Sequence, residues 1–504
     1  MSTANNYDDS LKRGAAVNML GLVGKLIYPL LFLVITWLCG PERVGLYMLA
    51  VAIAEIGAGA VQSGFVDAIL IYGSRHVDQV ASVPSEKDKL YLVLGTAFGI
   101  PLALSVVLAL ITQVGAGPLV EALYADRPML APALRIVGWT LPFIALSQSC
   151  IAATKARMRM EYDAILNGFV RAVLLLAFSA LFWQLSPRLE SLMWAQLATY
   201  VVLALLSLWA FLRHFELGPL LRAIGSRRID REVVRFAIPQ NLNMTFNKYL
   251  TRLDVMMLGA LGHTDFELGL FGAAALITSN IREVKLIFSG ALGPVIARHH
   301  ALRQRGNIEA VLGRVSRWST TIAVPIVLVV AALRTDLLHL VDVSYANADN
   351  AFMLWLLVTP LLSCMLGLAG NCIVYTGHSS YNLLNSVSVA VLNTGFNYLM
   401  IPRWGLTGAA IATATASALV TALQLLELRL LEGVSLRPNA IYKPCLGLLM
   451  GAATIAAVWD PALLAPAQRA GLAATLVLSF VALMLALRHE ELLGLARRVV
   501  ARLS

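Results

Sequence analysis

Residues 90–112 read LYLVLGTAFGIPLALSVVLALIT, 23 residues without a single charge. A helix rises about 1.5 Å per residue, so this run is about 35 Å long. That is enough to cross a hydrocarbon core of about 30 Å. Residues 199–212, 322–333 and 470–487 are equally apolar. Working outward from these, fourteen runs begin near residues 14, 44, 90, 131, 164, 191, 233, 267, 315, 351, 380, 404, 441 and 467. The pattern predicts an all-α polytopic membrane protein of about 14 transmembrane helices. Whole-chain figures agree. Of 504 residues, 59% are hydrophobic and 13% charged, and the mean hydropathy is +0.75. Soluble domains are about half apolar and a quarter charged. A disordered chain, a collagen and an ordinary cytosolic enzyme are excluded. The first run, 14–39, is too long for the apolar core of a cleavable leader and reads as the first span.

The net charge is +10. Basic residues cluster in alternate loops: Arg213, Arg222, Arg227, Arg228, Arg231 and Arg235 in one, Arg298, Arg303, Arg305, Arg314 and Arg317 in another. The intervening loops carry single arginines, Arg43, Arg127, Arg188, Arg334, Arg403 and Arg469. Lys and Arg concentrate on the cytoplasmic side, so both termini are expected inside. The charge then has a topological origin and no nucleic-acid partner is expected. The five cysteines lie in or beside apolar runs and form no CxxC, which suits inert buried thiols.

A weak repeat divides the chain. Arg13, Asn18, Lys25 and Gly45-Leu46-Tyr47 recur as Arg235, Asn241, Lys248 and Gly269-Leu270-Phe271. Six spans separate the copies, so the copies run in the same direction. The expected organisation is a six-helix half over 1–222, a second over 223–436, and two further helices with a basic tail over 437–504. The tail, 488–504, is basic and amphipathic and is expected to lie on the inner leaflet.

Several stretches are similar to polysaccharide flippases. They are Gly40-Pro41 with Gly45-Leu46-Tyr47, the Arg235-Phe236-Ala237-Ile238-Pro239 start of the seventh run, and above all Ile401-Pro402-Arg403-Trp404-Gly405-Leu406-Thr407-Gly408-Ala409-Ala410. The chain resembles the O-antigen and exopolysaccharide transporter family over essentially its whole length. That family sits in the superfamily of multidrug extruders and lipid II flippases. The resemblance implies transfer of an undecaprenyl-pyrophosphate-linked glycan across the bacterial inner membrane, for lipopolysaccharide or exopolysaccharide, with polysaccharide polymerase machinery as a further partner.

The residues themselves point to an anionic cargo. Lys25, Arg135, Arg171, Lys248, Arg252, Arg282 and Lys285 fall inside spans, with Glu55, Asp254 and Glu283. Each such base facing lipid costs about 2.5–3.5 kcal/mol, so these groups line a wet cavity, pair or snorkel. Pro29 frees the carbonyl of Lys25 one turn earlier. Lys248 and Arg252 are i, i+4, and Arg282 and Lys285 are i, i+3, so each pair shares a helix face. The expected pyrophosphate site is Lys25, Lys248, Arg252, Arg282 and Lys285, between the halves. Glu55, Asp254 and Glu283 are expected as pairing or coupling acids. The seventh run, 233–261, also carries Gln240, Asn241, Asn243 and Asn247, and so needs a face turned from lipid. Trp139, Asn243 and Asn393 are candidates for sugar contacts.

No P-loop and no nucleophile elbow is present, so neither ATP use nor an enzyme activity is expected. His299-His300 has no ligand neighbours in sequence, so no metal or cofactor is expected. The alternatives are a lipid II flippase, a multidrug extruder, which would be expected to show twelve spans and acidic sites, and a non-transporting scaffold for a polysaccharide synthase.

Overall fold

The computed structural model describes residues 32–77, 84–157, 159–226, 228–376, 378–436, 441–457 and 464–487. Among them there is helix and connecting turn, and no strand. The protein is all-α and multi-pass. Among the described residues eight helices are long and apolar enough to cross a membrane, or nine if the bent pair Phe352–Met365 and Leu368–Tyr375 is one span. The expected total of about 14 is not reached by this criterion: most of the first run, 14–39, lies outside the described residues, as does the basic tail, 488–504, and other runs fail it for physical reasons. The seventh run is too polar, the eighth is interrupted, and Tyr442–Ala457 is short. The eleventh and twelfth are joined in one hydrogen-bonded stretch, Ser379–Glu432.

That stretch is a hairpin. Fifty-four residues of straight helix would extend about 80 Å. Yet Asn385 Nδ2 donates to Glu427 Oε2 at 2.7 Å, and Thr413 Oγ1 donates to Asn393 Oδ1 at 3.2 Å. Both pairs are centred near residue 405. Gly405 has φ 54° and ψ −129°, a conformation closed to residues with a Cβ. Gly408 then packs against the Met400 carbonyl with no room for a side chain. The motif that carries the family resemblance is thus the turn of this hairpin.

The chain forms two compact units, Met1–Gly269 and Leu270–Ser504. In the first, an apolar cluster around Phe65, Leu94, Phe98, Phe211 and Leu220 joins the ends of four helices. In the second, Pro466–Ala486 packs Leu476, Phe480 and Met484 against Val324 and Leu328 of Arg305–Ala332. Gly447 and Gly451 of Tyr442–Ala457 lie against Phe480 and Leu328. The last two helices are therefore built onto the second unit.

Three of the single arginines are buried and bonded. Arg127 Nε donates to Asp265 at 2.6 Å and its Nη atoms reach the Gly259 and His263 carbonyls. Arg334 donates to Asn350 at 2.8 Å, and Arg469 to Asp336 at 2.7 Å. Read from sequence as lone loop charges, they tie turns together. Four of the five cysteines are buried and Cys445 is half-buried.

Candidate functional site

The first unit is organised by two antiparallel helices, Pro41–Ala68 and Arg231–Ala260. Their register follows from the contacts. Gly45 faces Asp265, Glu55 faces Arg252, Gly59 faces Lys248, and Gly64 faces Ala237 and Asn241. As one number rises the other falls. The three glycines let the backbones approach closely: an added Cβ on Gly59 would lie 2.7 Å from Lys248 Cδ.

This packing satisfies the polar seventh helix. The Gly64 N–H donates to Asn241 Oδ1 at 2.6 Å, and Asn241 Nδ2 donates to the Val61 carbonyl at 3.4 Å. Gln240 Nε2 donates to Asp67 at 2.9 Å. Thr245, Asn247 and Thr251 each donate to the carbonyl four residues earlier. Pro41–Ala68 covers the face that carries Gln240 and Asn241, while Asn247 and Thr251 stay exposed and bond within their own helix.

At mid-length the stripe of Lys248 and Arg252 meets a stripe of Glu55 and Gly59, also i, i+4, on the facing helix. Arg252 donates through Nε and Nη2 to Glu55 Oε2 at 2.9 and 2.8 Å, with both side chains about one-third exposed. Lys248 sits one turn away, in the field of Glu55, Arg171 and Arg252. Among the described residues its ammonium makes no hydrogen bond. Arg171 starts the helix that follows the π-helical stretch Ala164–Val170, and its guanidinium lies 5.0 Å from the centre of the Tyr200 ring. Tyr47 Oη donates to Gln196 at 3.5 Å beside it. The first unit thus gathers Glu55, Lys248, Arg252 and Arg171. Asp254 is half-buried on the same helix as Lys248. Lys25 lies outside the described residues.

The eighth run is not one continuous helix. Asp265–Ser279 passes through a 3₁₀ turn, Asn280–Arg282, into Glu283–Ala301. Mid-helix 3₁₀ turns often mark hinges. Cys364 Sγ reaches the Ile281 carbonyl at 3.5 Å. Arg282 is half-buried in the turn. Lys285 Nζ would lie 3.0 Å from a Cβ added to Gly367. Glu283, half-buried, stands between them in sequence. The structure therefore brings together Arg282 and Lys285 in one unit, and Glu55, Lys248 and Arg252 in the other.

Sequence reasoning missed Glu427. Its carboxylate is buried inside the Ser379–Glu432 hairpin, bonded to Asn385. No spacing rule links two residues 42 apart on separate arms. Asn393 is buried in the same hairpin, bonded to Asn397 and Thr413, so it holds the arms together. Trp139 is partly exposed and caps a break between Leu130–Gly138 and Thr140–Ala156. Among the described residues no cluster of three His, Cys, Asp or Glu could hold a metal ion.

Solved structures share this fold. The chain is similar to the lipid II flippase MurJ in an inward closed conformation, with a TM-score of 0.72 at 10% identity over 92% of this chain and 98% of that one. It is also similar to an inward-facing multidrug resistance MATE family transporter of the MOP superfamily, with a TM-score of 0.66 at 14% identity over 82% and 98%. A MOP superfamily transporter from Pyrococcus furiosus, described as having reverse polarity of its binding pocket, gives 0.52 at 15% identity over 84% and 95%. At these identities the likeness is one of fold. No protein of curated function matches in sequence. The family model for polysaccharide biosynthesis proteins matches residues 11–300, more than half of the chain, and the chain belongs to that family.

Proposed function

We propose that this protein is a flippase. It carries a polyprenyl-pyrophosphate-linked oligosaccharide from the cytoplasmic to the outer leaflet of a bacterial inner membrane, with both termini inside. The product would pass to a polymerase of surface polysaccharide. Membership of the polysaccharide biosynthesis family supports this reading. The observation that carries it is the Arg252–Glu55 ion pair with Lys248 one turn away on the same helix face.

A base that costs several kcal/mol in lipid is retained where it meets charge. In the resting protein Glu55 supplies that charge to Arg252. A pyrophosphate offers more charge and a bidentate acceptor, which suits a guanidinium fork and a compact ammonium. Exchange of Glu55 for pyrophosphate couples binding to separation of the two helix stripes. Arg282 and Lys285, at the 3₁₀ break, are a second pair of bases of the kind that suits an anionic group. Each negative charge moved outward gains about 2.3 kcal/mol per 100 mV of membrane potential.

The test is export of surface glycan in cells. Lys25→Ala, the pair Lys248→Ala with Arg252→Ala, and the pair Arg282→Ala with Lys285→Ala should each abolish export while the protein stays folded and inserted. Unchanged export in all three would end this reading. The MurJ likeness favours one second reading, a flippase for lipid II. Rescue of cells depleted of their peptidoglycan flippase would support it.

A further inference from the structure

The connection between the sixth and seventh runs is a built surface. Its helix, Leu217–Gly225, is fastened to Pro84–Leu123 at both ends. The Glu216 N–H donates to Tyr91 Oη at 2.8 Å, and Lys87 Nζ donates to the Glu216 carboxylate at 2.7 Å. Beyond the helix, the Asp230 N–H donates to Thr96 Oγ1 at 3.0 Å. Leu220 is buried in the apolar cluster, and Ala223 and Ile224 lie against Gly95 and Gly99.

These fastenings locate the helix. The uncharged run of Pro84–Leu123 begins at Leu90, just after Lys87 and Lys89. Contacts at residues 87, 91, 95 and 96 therefore straddle the border between headgroups and hydrocarbon. Leu221 is 57% exposed and Ile229 56%, with Leu217 also exposed. Arg222, Arg228, Arg231 and Arg235 are exposed among them. Exposed Trp209 carries the Arg213 guanidinium 3.8 Å from its ring centre. Of the nearby acids, Lys87 holds Glu216 and Asp230 Oδ1 caps the following helix, and exposed Glu232 still leaves the bases in excess. Apolar side chains and surplus bases at one border suit an interfacial helix facing anionic lipid.

We infer that Leu217–Gly225, with Trp209, Arg213, Arg222 and Arg228, is a docking surface for anionic phospholipid headgroups of the leaflet on the basic side of the membrane. It requires no assumption about the cargo. The helix would anchor the connection between the sixth and seventh runs to that leaflet.

The full chain in lipid nanodiscs is the material for the test. Photoreactive phosphatidylglycerol and photoreactive phosphatidylcholine are compared, and labelled peptides are mapped by mass spectrometry. The phosphatidylglycerol probe should label residues 209–229 about tenfold more, and the preference should vanish in about 1 M salt, where the screening length is ~3 Å. Arg222→Gln with Arg228→Gln should remove most of the preference. Arg43→Gln with Arg188→Gln should leave it intact. Leu221→Gln should lower labelling by both probes and keep their ratio. Equal labelling by the two probes in the unaltered protein would overturn the proposal, as would a salt-independent preference.

Discussion

Gly64→Ala probes the helix pair on which the candidate site is built. An added Cβ would collide with the Ala237 carbonyl oxygen and lie 2.9 Å from Asn241 N and 3.0 Å from Ala237 C. These are backbone atoms of a packed helix and cannot rotate aside. The helices must part by about 0.5–1 Å to restore ordinary contact. That displacement stretches the 2.6 Å bond from the Gly64 N–H to Asn241 towards its limit. Overpacking costs about 1–3 kcal/mol and the weakened buried bond about 1 kcal/mol. Alanine returns about 0.5–1 kcal/mol as the better helix former. The net expectation is a loss of about 1–3 kcal/mol. Gly218→Ala is the control, because nothing lies within 4 Å of its added Cβ. Thermal unfolding in detergent should show a lowered midpoint for Gly64→Ala and an equal or raised one for Gly218→Ala. If the two variants unfold together, the close antiparallel packing is wrong.

Other consequences can be checked in the same material. Gly405→Ala forces a Cβ into φ 54°, at a cost of about 1–3 kcal/mol, and should lower the midpoint; a neutral result would contradict the hairpin turn. A double-mutant cycle of Glu55→Gln and Arg252→Gln should give a coupling of about 0.5–1 kcal/mol, because the pair is one-third exposed and screened. Additive losses would mean that the ion pair is absent. Arg127→Ala removes a buried guanidinium from Asp265 and two carbonyls and should cost about 3–5 kcal/mol. Faster proteolysis at the turn of residues 261–264 is the readout, and an unaltered rate would speak against the clamp.

The seventh helix shows how far sequence reaches. Its Asn, Gln and Arg content announced a covered face, and its i, i+4 bases announced a stripe. The partner stripe was not legible. Glu55 meets Arg252 only because Gly45, Gly59 and Gly64 set the register, and small residues look alike in a chain with 36 glycines. The hairpin turn was legible as a motif, while its physical content, the left-handed Gly405, was not. The 3₁₀ turn at Asn280–Arg282 has no proline or glycine to mark it. Arg127, Arg334 and Arg469 were read by loop position alone, which says nothing of burial. Glu427 was missed because its partner lies on the other arm.

Flipping in a defined vesicle tests the central claim most directly. The purified protein is reconstituted with a fluorescent polyprenyl-pyrophosphate oligosaccharide in one leaflet, and its appearance in the other is followed with a membrane-impermeant quencher. Transfer should depend on the protein, fall to background with Lys248→Ala and Arg252→Ala together, and fall likewise with Arg282→Ala and Lys285→Ala. Undiminished transfer in both pairs, with intact and inserted protein, would contradict the role given to the mid-span cations.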